Sequence, residues 1–229
     1  MAGCCAFRPA RPSAHRCINA VADGRLPLDE RLAVCRTVFE QCHLPLLVRI
    51  TPFSLPDGLD ERLETLGMTT LDDTRVMVLA DLAGVDAAPA TPGVQARPIA
   101  LAAFAQRVGQ MRGSPLAQRQ AHAERLLSAP VSFHAFELVV DGHVQACGQF
   151  ALEGDMVGLY DVFTTLQARG KGLARTLCRQ LLIEARALGA RSAYLQVEAE
   201  NEAARSVYRK LGFADGYGYH YRVEMPGTA

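Results

Sequence analysis

Val157-Gly158-Leu159-Tyr160-Asp161-Val162-Phe163-Thr164-Thr165, a polar turn, and then Arg169-Gly170-Lys171-Gly172-Leu173-Ala174 decide how the rest of this chain reads. The first run is apolar and strand-like. From Leu173 onward, Leu173, Leu177, Leu181, Leu182, Ala185 and Leu188 recur at helical spacing on one face. A strand, a Gly-rich turn and a helix start together make an anion site, because N–H groups without intrahelical partners converge there and the helix dipole favours negative charge. Arg169, Lys171, Arg175 and Arg179 sit at or just after the helix start. A cation in the first turn is unfavourable by ~0.3–1 kcal/mol, and Lys171, Arg175 and Arg179 stack like charges at four-residue spacing. A bound polyphosphate accounts for this pattern better than a solvated basic face does.

Working outward, a second strand at Ala193–Val197 precedes Asn201 and a short helix that ends at Leu211-Gly212-Phe213. The turn fails the nucleotide P-loop pattern, since Gly172 follows Lys171 and Thr165 stands where the first glycine belongs. It also fails G-x-G-x-x-G at Arg175, and no apolar run ending in Asp follows the helix as an NTPase would need. What fits is Arg-x-x-Gly-x-Ala at Arg169, Gly172 and Ala174, followed by Asn201-Glu-Ala-Ala204-Arg-Ser-Val-Tyr208-Arg-Lys-Leu-Gly212-Phe213.

With these two motifs in this order, the chain resembles the GCN5-related N-acetyltransferase (GNAT) superfamily over about residues 95–229. The resemblance implies an α/β (α+β) GNAT fold, a mixed, mostly antiparallel sheet flanked by helices. It also implies acetyl-CoA as cosubstrate and no metal. Backbone amides from Arg169, Gly170, Lys171, Gly172, Leu173 and Ala174 would cradle the CoA pyrophosphate, with Lys171 or Arg175 reaching a further phosphate. The strand ending Val162-Phe163-Thr164 would bulge and splay from the Leu195–Val197 strand. The backbones of Phe163 and Thr164 would then meet the pantetheine arm, and one N–H would polarise the thioester carbonyl. Asn201 reads from the residues as a helix N-cap worth ~1 kcal/mol over Ala, and the resemblance also sets it beside the pantetheine. Tyr208 shares a face with Ala204, Val207 and Leu211, as a core aromatic would. The resemblance makes it the acid that protonates the departing thiolate, a role typically worth ~10²–10⁴ in rate.

The function so implied is acetyl transfer to a primary amine of a small molecule or peptide, by direct attack in a ternary complex. The alternative is a non-catalytic module that binds CoA or an acyl-CoA as a regulatory ligand. Asp161, Glu198 and His220 are the candidates for a general base, and the residues do not choose among them. Acceptor specificity is expected from 105–130 and from Tyr217–Tyr221. There Tyr217, Tyr219 and Tyr221 read first as alternate positions on one strand face.

Composition narrows the classes. Lys+Arg and Asp+Glu are both 24, so no global basic field points to nucleic acid. Hydrophobic residues make up 49% and charged residues 21%, which suits a soluble domain with a sizeable core. No apolar run approaches the ~20 residues of a membrane span. Seven cysteines without C-x-x-C spacing read as free thiols, which predicts a cytoplasmic setting and no metal. A homodimer is compatible with all of this.

Upstream, residues 1–16 carry Arg8, Arg11, His15 and Arg16 without an apolar segment, and read as a flexible N-terminus. Residues 17–84 read as a smaller, partial GNAT-like domain. It has a helix over Leu28–Gln41 (apolar at Leu28, Leu32, Cys35, Val38 and Phe39), a strand over Leu44–Thr51, a helix over Pro56–Leu66 closed by Gly67, and a strand over Thr74–Leu82. This resembles tandem acetyltransferases with a degenerate N-terminal half, and the half lacks the Arg-x-x-Gly-x-Ala turn. A linker at 85–93 leads to the catalytic domain, 94–229. That domain should open with a strand near Val94 and helices over 101–127 broken at Gly113-Ser114-Pro115. A hairpin turning at Asp141-Gly142 should follow.

Overall fold

The computed structural model of the chain describes residues 17–21, 26–86 and 92–224. The expected flexible N-terminus and the centre of the expected linker lie outside them. In chain order the described elements are β1 (Ile18–Asn19), α1 (Leu28–Gln41), β2 (Leu47–Ile50), α2 (Leu59–Thr65), β3 (Thr69–Leu79), β4 (Val94–Ile99), α3 (Leu101–Arg112) and α4 (Leu116–Leu127). Then come β5 (Phe133–Val140), β6 (His143–Glu153), β7 (Met156–Thr164), α5 (Leu173–Ala187), β8 (Ser192–Glu198), α6 (Glu202–Arg209) and β9 (Ala214–Val223).

Two compact units emerge, and their boundaries differ from those expected. Among the described residues, one comprises those up to Thr74 together with those from Tyr217, the other those between Arg75 and Gly216. The divisions fall inside β3 and β9, because a strand belongs with the neighbours it hydrogen-bonds rather than with its neighbours in sequence. Residues 75–84 therefore join the second unit, and residues 217–224 join the first.

In the first unit β1 runs parallel to β2, and β2 pairs antiparallel with β9, Leu47 opposite Val223 and Ile50 opposite His220. Leu28, Leu32, Val48, Ile50, Leu59, Leu63 and Met68 fill its core. Val38, expected on the buried face of α1, is 52% exposed. Leu28, Leu32, Cys35 and Phe39 already complete the i, i+4, i+7, i+11 stripe, and Val38 falls one position off it.

In the second unit β4, β5, β6 and β7 form an antiparallel run, and β7 continues in parallel to β8. The expected hairpin turn is present, with Asp141 at φ 49 and Gly142 at φ 81, a pair of left-handed residues that matches strand twist. α3 ends at Gly113 in the left-handed conformation (φ 71), and Pro115 precedes α4. α5 lays Leu177, Cys178, Leu181, Leu182 and Ala185 against Phe136, Leu138, Phe150, Leu159 and Leu195. Each fully buried leucine of that stripe stabilises the unit by ~1.5–3 kcal/mol. Leu188, read as part of the stripe, is the C-cap of α5 and 55% exposed. A second apolar cluster under α3 and α4 contains Phe104, Ala105, Val108, Leu126, Ala135 and Cys147. Among the described residues, no helix is long and apolar enough to cross a membrane.

Candidate active site

β7 delivers the chain to a single 3-10 turn at Leu166–Ala168, and α5 begins at Leu173. Between them Gly170 has φ 75 and Gly172 φ 76, in the left-handed region that glycine enters without steric cost. A Cβ on either glycine would meet only open space, so backbone conformation rather than crowding calls for glycine here. Gly172 is the N-cap of α5 and, lacking a side chain, caps nothing. The first backbone bond of the helix runs from Thr176 N–H to Gly172 C=O at 3.1 Å. Among the described residues, the N–H groups of Gly170, Lys171, Gly172, Leu173, Ala174 and Arg175 therefore meet no acceptor. The first turn contains no acid, and Arg169, Lys171 and Arg175 are exposed around it. Arg169 departs from the expected cradle, since its N–H already points at Leu166 C=O, 3.4 Å away. The remaining donors and the surrounding cations fit a pyrophosphate.

The strand before the turn is bulged. Gln149 of β6 faces Tyr160 and Cys147 faces Phe163, so Asp161 and Val162 together oppose Gly148. Asp161 absorbs the extra residue at φ 50, an uncommon conformation for a residue with a Cβ. On the other edge the parallel pairing with β8 runs only from Met156–Ser192 to Leu159–Leu195. From Tyr160 to Thr164 the strand thus loses its β8 partner; because Thr165 N–H bonds Gln145 C=O in β6, alternation turns the Phe163 backbone toward β6 and leaves that of Thr164 facing the gap. The Phe163 ring packs on the α3/α4 apolar cluster, with the guanidinium carbons of Arg112 and Arg169 at 5.7 and 5.8 Å from its centre. Thr164 Oγ1 is buried without a hydrogen-bond partner.

Asn201 caps α6, its Oδ1 accepting the Ala204 N–H at 3.1 Å. Tyr208 packs partly buried against the α5 core, edge-on to Phe213 with ring centres 6.0 Å apart. Burial, reinforced by the nearby Cys178 thiol, pushes its hydroxyl well above the usual phenol range. The hydroxyl therefore stays protonated at neutral pH. It has no hydrogen-bond partner among the described residues, which leaves its proton free to donate.

The three candidate bases separate. Asp161 accepts from Arg112 Nη1 at 2.9 Å and from Gln149 Nε2 at 2.9 Å, and His122 Nε2 lies 3.2 Å from its Oδ2. Burial alone would raise its pKa, but His122 and Arg112 outweigh it and hold the carboxyl well below the usual range. A carboxylate so stabilised is a poor proton acceptor. His220 belongs to the first unit, where its Nε2 lies 2.9 Å from Asp60 Oδ1, an oxygen that also takes Arg222 Nε at 2.6 Å. Glu198 is the half-buried last residue of β8. Tyr219 and Tyr221, read as one strand face, stack around Arg49, whose guanidinium lies 4.7 and 5.4 Å from their ring centres. The residues that sequence reasoning missed are Arg112, His122 and Gln149. The first two fall inside the stretch expected to wall the acceptor pocket, but no local pattern marks them.

The sequence model of the Acetyltransferase (GNAT) family matches residues 103–213. The uncharacterized N-acetyltransferase YobR of Bacillus subtilis is 33% identical over 89 residues, 39% of this chain and 36% of that protein. This chain therefore matches little more than a third of that relative's length. A GCN5-related N-acetyltransferase from Kribbella flavida superposes with a TM-score of 0.66 at 18% identity, over 86% of this chain and 74% of the other. A tandem GNAT protein from the clavulanic acid biosynthesis pathway does so with a TM-score of 0.71 at 14% identity, over 88% and 70%. At such identities the likeness is one of fold. Over residues 103–213, a little under half of the chain, the sequence is similar to the Acetyltransferase (GNAT) family, and the fold it shares with these structures agrees with that likeness.

Proposed function

We propose that the chain transfers acetyl from acetyl-CoA to a primary amine of a small molecule or peptide, by direct attack within a ternary complex. The observation that carries this reading is the run of unpartnered N–H groups from Gly170 to Arg175 at an acid-free, cation-flanked helix start. Those groups hold the pyrophosphate. The unpaired edge of β7 offers the backbone of Thr164, beside Phe163, to the pantetheine and to the thioester oxygen, whose charge grows during attack. Asn201 keeps α6 in register, and Tyr208, protonated by virtue of its burial, donates to the leaving sulfur. No acyl-enzyme is required, because the thioester is already activated and the site has only to align two reactants. Residues 17–84 belong to the same proposal as a degenerate GNAT-like half. Their helix α2 lacks the glycine turn, so we assign them no CoA site.

Calorimetric titration with acetyl-CoA, followed by thiol release across a panel of amines, tests this. The expected result is one site per chain, with Tyr208→Phe binding normally but releasing thiol ~10²-fold or more slowly. A folded protein that fails to bind acetyl-CoA overturns the reading. Binding without transfer to any amine would favour the regulatory module.

A further inference from the structure

At the β7 bulge, four side chains from four elements meet: Arg112 from the end of α3, His122 from α4, Gln149 from β6 and Asp161 from the bulge itself. Arg112 takes Oδ1 of Asp161, while Gln149 and His122 share Oδ2. The carboxylate is thereby anchored from two helices and a neighbouring strand. It sits three residues before Thr164, whose backbone is assigned above to the thioester.

We infer that His122 is the general base of the transfer, oriented by Asp161; this rests on the acetyltransferase reading of the same site. Ionised carboxylate oxygens only accept hydrogen bonds, so the imidazole nitrogen that faces Asp161, Nε2, is the one that carries the proton. The lone pair of the neutral ring is then at Nδ1. A second contact fixes the ring: it lies edge-on to Phe104, centres 6.3 Å apart at 71°. The His122 side chain is 17% exposed, enclosed yet open to a small nucleophile.

Gln149 supplies a second, independent feature. It is 1% exposed, and with Nε2 committed to Asp161 its buried Oε1 has no hydrogen-bond partner. An acceptor without a donor beside the proposed base suits an incoming N–H group. In the step that follows, the amine nitrogen's lone pair forms the C–N bond to the thioester carbonyl carbon. Collapse breaks the C–S bond and leaves that electron pair on sulfur. The proton lost by nitrogen goes to Nδ1 of His122, and sulfur takes one from Tyr208, which solvent then restores.

Two readouts on the full chain test this. Long-range 15N NMR of His122 at mildly alkaline pH should show the Nε2–H tautomer in the wild type and a mixture in Asp161→Asn. Thiol release from acetyl-CoA should be followed with water alone and with hydroxylamine as nucleophile. There His122→Gln should fall by ~10²-fold or more with unchanged acetyl-CoA affinity, and added imidazole should partly restore His122→Ala. An Nδ1–H tautomer overturns the inference, and so does wild-type thiol release by a His122→Gln protein that binds acetyl-CoA. A wild type that does not bind acetyl-CoA overturns the acetyltransferase reading instead, whatever the tautomer.

Discussion

Helices α2 and α5 start from the same backbone conformation in opposite electrostatic surroundings. Gly58 caps α2 at φ 72 and Gly172 caps α5 at φ 76, and neither makes a side-chain capping bond. α2 then places Asp60 and Glu61 in its first turn, whereas α5 has no acid there. The positive end of the α2 dipole is answered by the chain's own carboxylates, and Asp60 is further held by Arg222 and His220. The same end of α5 has no carboxylate of its own and is ringed by Arg169, Lys171 and Arg175, surroundings that suit an external anion. A left-handed glycine at a helix start is therefore not in itself the mark of a cofactor site. The mark is that glycine together with a first turn that holds no acid and is ringed by cations.

Making α5 resemble α2 should have the largest effect. Gly172→Glu forces a side chain into a left-handed conformation and sets a carboxylate where the pyrophosphate would bind. Acetyl-CoA affinity should fall at least ~10³-fold, about 4 kcal/mol, by calorimetry. Retention within about threefold of wild type would remove the distinction between the two helices. The converse change, Asp60→Asn, should not create a second acetyl-CoA site, since Glu61 still answers the α2 dipole. Its cost should appear in stability instead. Arg222, whose side chain is only 7% exposed, would lose its closer charged partner and keep only Glu64, 3.5 Å away, and denaturant unfolding should report a loss of about 3 kcal/mol.

The pH dependence of that loss has a definite sign. Burial would raise the Asp60 pKa, but its bonds to Arg222 and His220 lower it overall. Its stabilisation is therefore present above the ordinary Asp pKa of ~3.9 and vanishes as pH falls through the lower folded value. The gap between wild type and Asp60→Asn should close in acid. Asp161→Asn should behave in the same way with a cost at neutral pH at least as large, about 3 kcal/mol. Because the Asp161 carboxyl is held further down, its gap should close at a lower pH. Equal closing points would contradict the ordering of the two clusters. The smallest effect belongs to Asn201→Ala, which removes the α6 cap. A loss of ~1 kcal/mol, or about 2–4 °C in melting temperature, is expected by calorimetry.

The features legible in the chain are those written within a few residues. The Gly170–Gly172 turn, the α5 stripe from Leu177 to Ala185, the Asp141-Gly142 hairpin and the Asn201 cap each rest on a local backbone angle, a periodicity or one short bond. The splay beyond Leu159 was implied by resemblance and is visible as lost pairing. Errors collect where a residue's fate depends on distant packing. Val38 and Leu188 satisfy an apolar pattern yet lie exposed, and residues 217–224 pack with the first unit although they follow the second in sequence.

The amino-acid order alone was enough for the glycine-capped, cation-ringed helix start and the family likeness it carries, because glycine conformation and charge spacing are short-range properties. It could not assign Asp161. That carboxylate reads as a candidate base until its partners are seen, and they arrive from 12 and 49 residues away in sequence. The β7 bulge turns Asp161 toward α3 and α4, and packing of those helices brings Arg112 and His122 to it. A titratable group's role follows from the charges within a few ångströms, and folding in three dimensions sets those distances.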